Sequence, residues 1–232
     1  MVLALAFCWS TMFTPMQQEA KPETYLAEIT RTLRTDWPKN RTVNIVCHGH
    51  SVPAGYFVTP RVQTFDSYPH LLHRALGERF PKAVVNVIVT AIGGEQSESG
   101  AQRFEKDVLD KHPDVVTIDY SLNDRGLGLE RAKAAWSLMI ESALKAKVKV
   151  ILLTPTPDQS ANLDDPNDPL NQHAEQVRGL AKHYGVGLVD SLNEFKGAMK
   201  GGAALPTLMS QVNHPNRAGH ELVAKALNLW FP

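Results

Sequence analysis

A serine at a sharp turn is the first residue of this chain that could do chemistry. In Val43–Gly55 (VNIVCHGHSVPAG), the apolar residues Val43, Ile45 and Val46 give way to small and polar ones. That is the pattern of a buried strand running into a turn. Ser51 lies at the turn, with Gly49 before it and Pro53, Ala54 and Gly55 after it. Open α/β sheets hold their ligands just beyond the C-terminal ends of parallel strands. A hydroxyl there is placed to reach a substrate, but serine is a weak nucleophile until a neighbouring base takes its proton. Acyl transfer at Ser51 therefore needs a base and a set of oxyanion donors from elsewhere in the chain.

Three later stretches carry residues of suitable types. Val89–Ser97 (VTAIGGEQS) follows a second apolar run and carries Gly94. Ile118–Asp124 (IDYSLND) follows a third and carries Asn123. Gln211–Pro215 (QVNHP) lies near the C-terminus and carries His214. Ser, Gly, Asn and His in this order resemble the SGNH (GDSL-type) hydrolases, over roughly Asn44 to Leu227. Any one block is a weak signal; the four in order are a strong one. Three blocks depart from the family pattern. GDS reads Gly49-His50-Ser51, GxND reads Ser121-Leu122-Asn123-Asp124, and DxxH reads Gln211-Val212-Asn213-His214. The first two changes keep the chemical residues. The third removes the carboxylate that normally orients the histidine.

The resemblance implies a role for each residue. Ser51 is the nucleophile. His214, followed by Pro215, Asn216 and Gly219 as in the family's last block, is the general base. The Gly94 N–H, the Asn123 side-chain amide and the Ser51 N–H form the oxyanion hole, where one donor is worth about 3 kcal/mol in the transition state. Gln211 can accept a hydrogen bond from the ring through its amide oxygen, without supplying charge. Some family members instead hold the histidine on a backbone carbonyl. A remote acid is a third option, from Asp158, Asp164, Asp165 or Asp168 on one long loop. His50 is an alternative base. Blander roles compete with these: a turn serine, a turn glycine and an Asn-Asp turn. Asp190 and Ser191 read as a cap for the following segment. No metal-ligand spacing and no glycine-rich phosphate loop occurs, so no metal or cofactor is expected.

These residues must be positioned by strands and helices in alternation. Val43–Cys47, Val84–Val89, Val115–Tyr120, Val148–Leu153 and Val186–Val189 read as strands, apolar enough to be covered on both faces. Between them, helical spacing predicts helices over Pro22–Trp37, from Asp66 or Ser67 to Phe80, after Gly100 to about Asp110, and over Leu129–Lys147, Leu170–Tyr184 and Asn216–Phe231. The expected fold is α/β: one three-layer α/β/α domain with a mostly parallel five-stranded sheet, flavodoxin-like as in the SGNH family. Ser51–Thr64 is expected to be a loop. Thr154–Pro169, rich in proline and acid, is long enough to be a functional loop or lid.

Composition sets outer bounds. The 232 residues are 43% hydrophobic and 21% charged, with 24 basic against 24 acidic residues, so neither nucleic acid nor an anionic membrane is an expected partner. Cys8 and Cys47 give no disulfide framework, and Cys47, in the first strand, reads as a buried inert thiol. Val2–Phe13 is apolar but too short to span a bilayer. With Ala20 as a cleavage point it resembles the core of a signal peptide, though it lacks a basic start. Residues 1–20 are thus expected to be a leader or a disordered N-terminus, with export to periplasm or medium, and residues 21–232 to be the hydrolase domain. No stable membrane insertion is expected. The resemblance implies a serine ester hydrolase that removes a small acyl group such as acetyl from a carbohydrate or other small ester. Two other readings stay open. One is a silent glycan-binding member, suggested by Gln211, His50 and Ser121. The other is a lipase or thioesterase, although no apolar lid helix suits a long acyl chain.

Overall fold

The five apolar runs become the five strands of one parallel sheet. In a computed structural model, which describes residues 20–232, they are β1 (Thr42–Gly49), β2 (Val84–Val89), β3 (Val115–Asp119), β4 (Lys149–Leu153) and β5 (Gly187–Val189). They pair in the order β2-β1-β3-β4-β5. Side chains alternate across the sheet and build two cores. Val43, Ile45 and Cys47 of β1, with Ile151 and Leu153 of β4, face one core. Val46, Val116, Ile118, Val150 and Leu152 face the other. The first core is covered by α1 (Ala27–Leu33), α2 (Tyr68–Arg79), α6 (Ser191–Lys200) and α7 (Arg217–Asn228). The second is covered by α3 (Ser97–Gln102) and α4 (Leu129–Lys145). Helix α5 (Pro169–Tyr184) gives Leu170 and Ala174 to the first and Val177 and Leu180 to the second. This is the expected three-layer α/β/α domain.

Several boundaries differ from expectation. The first helical pattern breaks at Leu26 and ends at Leu33, leaving Trp37 exposed. The helix expected to reach Asp110 breaks at Arg103 into α3, a turn at Phe104–Asp107 and a 3₁₀ turn at Leu109–Lys111. Arg103 leaves the helical path (φ −101°, ψ 4°) while its guanidinium reaches back to the Thr90 carbonyl and the Glu95 carboxylate. Ser51–Ala54, expected as loop, is one helical turn. Asp190 caps a ten-residue helix, α6. Cys47 is fully buried, and burial above all pushes its thiol up to about 12, so it is inert as expected. The expected leader before Ala20, with Cys8, lies outside the described residues. Among the described residues no helix is long and apolar enough to cross a membrane.

The chain passes from β1 outward to β2 and then back across to β3 on the other side of β1. The point where the order reverses is where such sheets bind ligands. It lies at the C-terminal ends of β1 and β3.

Candidate active site

The turn that follows β1 is built around what Gly49 lacks. A Cβ on Gly49 would sit 2.4 Å from the Asp119 carbonyl of β3 and 2.8 Å from Pro53 Cγ. Glycine thus lets β1 and β3 stay paired to their ends, and His50 N–H bonds the same Asp119 carbonyl at 3.2 Å. His50 is extended and caps the turn Ser51–Ala54: its Nδ1 accepts the Val52 N–H at 3.2 Å. Gly55, at φ +86°, closes the turn in the left-handed conformation that favours glycine. Ser51 is 6% exposed.

His214 meets Ser51 from the far end of the chain. Its Nε2 lies 2.9 Å from Ser51 Oγ. A tight reversal holds it: Met209 and Pro215 form an antiparallel bridge, and Ser210 N–H donates to the His214 carbonyl at 2.9 Å. Asn216 then caps α7 by accepting the Gly219 N–H at 3.2 Å. Gly219 is required because its Cβ would lie 2.4 Å from the Leu208 carbonyl. On the other ring nitrogen, His214 Nδ1 lies 3.1 Å from the Phe57 carbonyl and 2.8 Å from Gln211 Nε2. Burial, first of all, holds this imidazole below its ordinary pKa; the Phe57 carbonyl opposes the shift and nearby His50 adds to it. His50 Nδ1 is 3.5 Å from Ser51 Oγ and already accepts the Val52 N–H, so it is poorly placed as a base.

Gly94 and Asn123 flank this pair. Ile92 N–H bonds the Gly49 carbonyl at 3.0 Å, so the segment after β2 runs beside the end of β1. Gly94 follows at φ +79°, exposed, and among the described residues its N–H has no hydrogen-bond partner. Asn123 lies in the single turn Ser121–Asp124 after β3. One amide hydrogen of Asn123 goes to the Glu95 carbonyl at 2.9 Å. The amide carries a second hydrogen. The two segments are also tied by Gln96 Nε2 to the Asn123 carbonyl at 3.1 Å and by Ser97 N–H to Asp124 Oδ1 at 2.8 Å.

Two expected partners of His214 behave differently. The oxygen of the Gln211 amide is taken by Thr59 N–H at 3.0 Å, and its nitrogen donates to Asn213 Oδ1 at 3.1 Å. The amide therefore turns its nitrogen, not its oxygen, to the ring. Asp158 does not reach His214 at all. Its Oδ1 accepts from Ser160 N–H at 2.8 Å, and its Oδ2 pairs with Arg125 Nη2 at 2.7 Å. Burial works against its charge, but the bonds from Ser160 and Arg125 outweigh it and hold the carboxyl below its usual pKa. Asp165 accepts the Asn167 N–H within the loop, and Asp168 caps α5 by accepting the Leu170 N–H. The loop does reach the site, through neutral groups: Gln159 N–H bonds the Val212 carbonyl at 2.8 Å and Gln159 Nε2 the Gln211 carbonyl at 3.1 Å. With Leu122, Asn123, Arg125 and Gly126, the loop residues Ser160, Ala161, Asp168 and Pro169 line an open cavity of about 480 Å³.

A doubly covered parallel sheet, with a Ser–His pair and amide groups at its switch point, defines a serine hydrolase. Residues 47–222 match the GDSL-like lipase/acylhydrolase family, and the chain belongs to it. It is a carboxylic ester hydrolase. An acetylxylan esterase of Geobacillus stearothermophilus is 26% identical over 161 residues, covering 63% of this chain and 72% of that protein. The structure of a catalytic mutant of the acetylxylan esterase Axe2 from the same organism superimposes with a TM-score of 0.72 at 19% identity, over 85% of this chain and 96% of that one. A two-domain esterase active on acetylated mannans superimposes with a TM-score of 0.69 at 23% identity, over 88% of this chain and 51% of that one. At these identities the superpositions speak for the fold.

Proposed function

We propose that this esterase removes acetyl groups from carbohydrates, with Ser51 as nucleophile and His214 as base in a dyad held by the Phe57 carbonyl. The observation that carries this reading is the 2.9 Å contact between His214 Nε2 and Ser51 Oγ at the switch point. For Nε2 to accept the Ser51 proton, the ring's own proton must sit on Nδ1. Of the two groups beside Nδ1, the Phe57 carbonyl is the one that accepts it.

Ser51 Oγ attacks the acetyl carbonyl while His214 takes its proton. The carbonyl oxygen becomes an oxyanion, met by the N–H groups of Ser51 and Gly94 and the free hydrogen of the Asn123 amide. Collapse breaks the bond to the sugar oxygen, which leaves with the proton from His214. Water, deprotonated by His214, then attacks the acetyl-enzyme, and acetate leaves as Ser51 recovers its proton. A depressed pKa suits His214 here, because it keeps the ring neutral at and somewhat below neutral pH.

Carbohydrate acetyl esters as the substrate class are supported by the relatives, named for acetylxylan and acetylated mannans. The open cavity beside Asn123 is lined by Arg125, Ser160 and Asp168, polar side chains of the kind that bond sugar hydroxyls. A silent glycan-binding role is disfavoured by the assembled Ser–His contact. The test is hydrolysis of p-nitrophenyl acetate and acetylated xylo-oligosaccharides by Ser51→Ala. Loss of turnover on both, with an unchanged unfolding temperature, is expected; retained turnover refutes the assignment.

A further inference from the structure

Behind the two flanking donors lies a buried polar cluster that the reaction does not touch. Glu95 is at its centre, its side chain 9% exposed and that of Arg103 16%. Arg103 Nε donates to Glu95 Oε1 at 2.8 Å, and Arg103 Nη2 makes a short contact with Oε2. Tyr120 donates its hydroxyl hydrogen to Oε2 at 2.9 Å. The remaining guanidinium nitrogen, Nη1, reaches the Thr90 carbonyl at 2.6 Å and Asp107 at 3.0 Å. His48 lies beneath, its Nε2 3.1 Å from the Tyr120 oxygen and its Nδ1 2.8 Å from Thr90 Oγ1. Gly100 leaves room for all this, since its Cβ would fall 2.4 Å from the Tyr120 hydroxyl.

Glu95 touches both donor segments. It follows Gly94 directly, and its carbonyl holds the Asn123 amide at 2.9 Å. Its carboxylate is bonded to Tyr120, the residue from which the Asn123 turn starts. Any movement of the Glu95 backbone therefore moves the Gly94 N–H through the chain and the Asn123 amide through a hydrogen bond. A planar guanidinium bound through two nitrogens fixes direction as well as distance. A buried ion pair of this kind adds little net stability over an apolar replacement, so its worth here is geometric.

We propose that Glu95, clamped by Arg103 and Tyr120, is a positioning residue that sets the separation of the two oxyanion donors, Gly94 and Asn123. The inference rests on the reading of Asn123 as a donor. The clamp acts on the transition state, where the oxyanion exists, and leaves ground-state binding alone.

The test is a set of purified variants assayed with p-nitrophenyl acetate: Glu95→Gln, Tyr120→Phe, Asn123→Ala, and each of the first two combined with Asn123→Ala. Glu95→Gln is expected to lower kcat by about tenfold or more with KM within about twofold, the signature of an interaction made only in the transition state. Tyr120→Phe keeps the buried ring and loses the hydroxyl's bond to Glu95 with its contacts to Arg103 and His48, so a loss of about threefold or more in kcat is expected. With Asn123 already alanine, either change should cost at most about a third of its single-variant factor, because one of the two groups being positioned is gone. Equal costs in both backgrounds, or kcat within about twofold in the single variants, overturn the proposal. Should Glu95→Gln fail to fold, the Tyr120→Phe cycle decides alone. Activity retained by Ser51→Ala or Asn123→Ala would overturn the reading of the site, and the clamp with it. If Ser51→Ala and Asn123→Ala lose activity as expected but the Glu95 and Tyr120 changes cost the same factor in both backgrounds, the clamp alone is overturned.

Discussion

His214 must be neutral on Nε2 before it can take the Ser51 proton, and that requirement separates its neighbours. The Phe57 carbonyl accepts the Nδ1 proton and so favours the working tautomer. The Gln211 NH₂ group faces the same nitrogen as a donor and favours the idle one. Gln211→Ala is therefore expected to lower kcat/KM by no more than about tenfold, the scale of one neutral hydrogen bond. Gln211→Asp would place a carboxylate beside the imidazolium. A nearby negative charge raises a histidine pKa by roughly one unit or more, so the acid limb of kcat/KM against pH should move up, from below the ordinary histidine value toward or above it, while activity at neutral pH rises. An unmoved acid limb refutes this account of the ring. These neighbours show what the sequence could carry. Ser51, Asn123 and His214 could be singled out because a hydroxyl, an amide and an imidazole are what acyl transfer needs, and Gly94 because its left-handed backbone favours glycine. Phe57 could not, because it acts through a backbone carbonyl that any residue could supply. The orientation of the Gln211 amide depends on Thr59, 152 positions away.

The element that carries the nucleophile is the four-residue turn after β1, and its placement depends on how closely β1 and β3 end together. Gly49→Ala puts a methyl group 2.4 Å from the Asp119 carbonyl, and backbone cannot rotate away as a side chain can. The expected result is a loss of about 1–3 kcal/mol in stability, as for overpacking. The reaction of Ser51 with a fluorophosphonate should also slow. Unchanged labelling and unfolding temperature would mean that the strand ends move apart at no cost. The same close pairing explains why the strands could be read from sequence. Val43–Val46 and Val115–Ile118 are apolar on both faces because both faces are covered. The break at Arg103 could not be read, because it follows from contacts with Thr90 and Glu95 across the structure rather than from helix propensity. The long loop shows both outcomes. Its length pointed to the site edge, where it lies, but Asp158 pairs with Arg125, Asp165 serves the loop's own turn and Asp168 caps α5.

At the scale of the whole molecule, packing the site against α7 and α3 leaves several histidines buried in the neutral form. Burial, with the Arg103 charge adding to it, pushes His48 down to about 4. Burial, reinforced by His214 and only partly opposed by Asp66, pushes His220 down to about 3. His173 and His214 are lowered too, burial being the largest cause in each. Between the folded pKa and the ordinary value near 6.5, the unfolded chain binds a proton that the folded chain does not. Stability therefore rises with pH through that window, is level above about 6.5, and is lost as the pH falls below it. Each such group contributes roughly 1 kcal/mol per pH unit inside its window. Asp124 works against the trend, since burial raises its carboxyl and the folded state there holds the extra proton. His220 isolates the effect best. It is 3% exposed, and its Nδ1 accepts the Tyr68 N–H at 3.3 Å, a bond that a glutamine oxygen can replace. In urea unfolding at pH 7.5, 6.5, 5.5 and 4.5, His220→Gln should show a shallower decline than the parent chain. The two curves should converge by roughly 1 kcal/mol per unit below pH 6.5 and run parallel above it. Curves parallel throughout would mean that His220 is protonated inside the fold, which its surroundings disfavour.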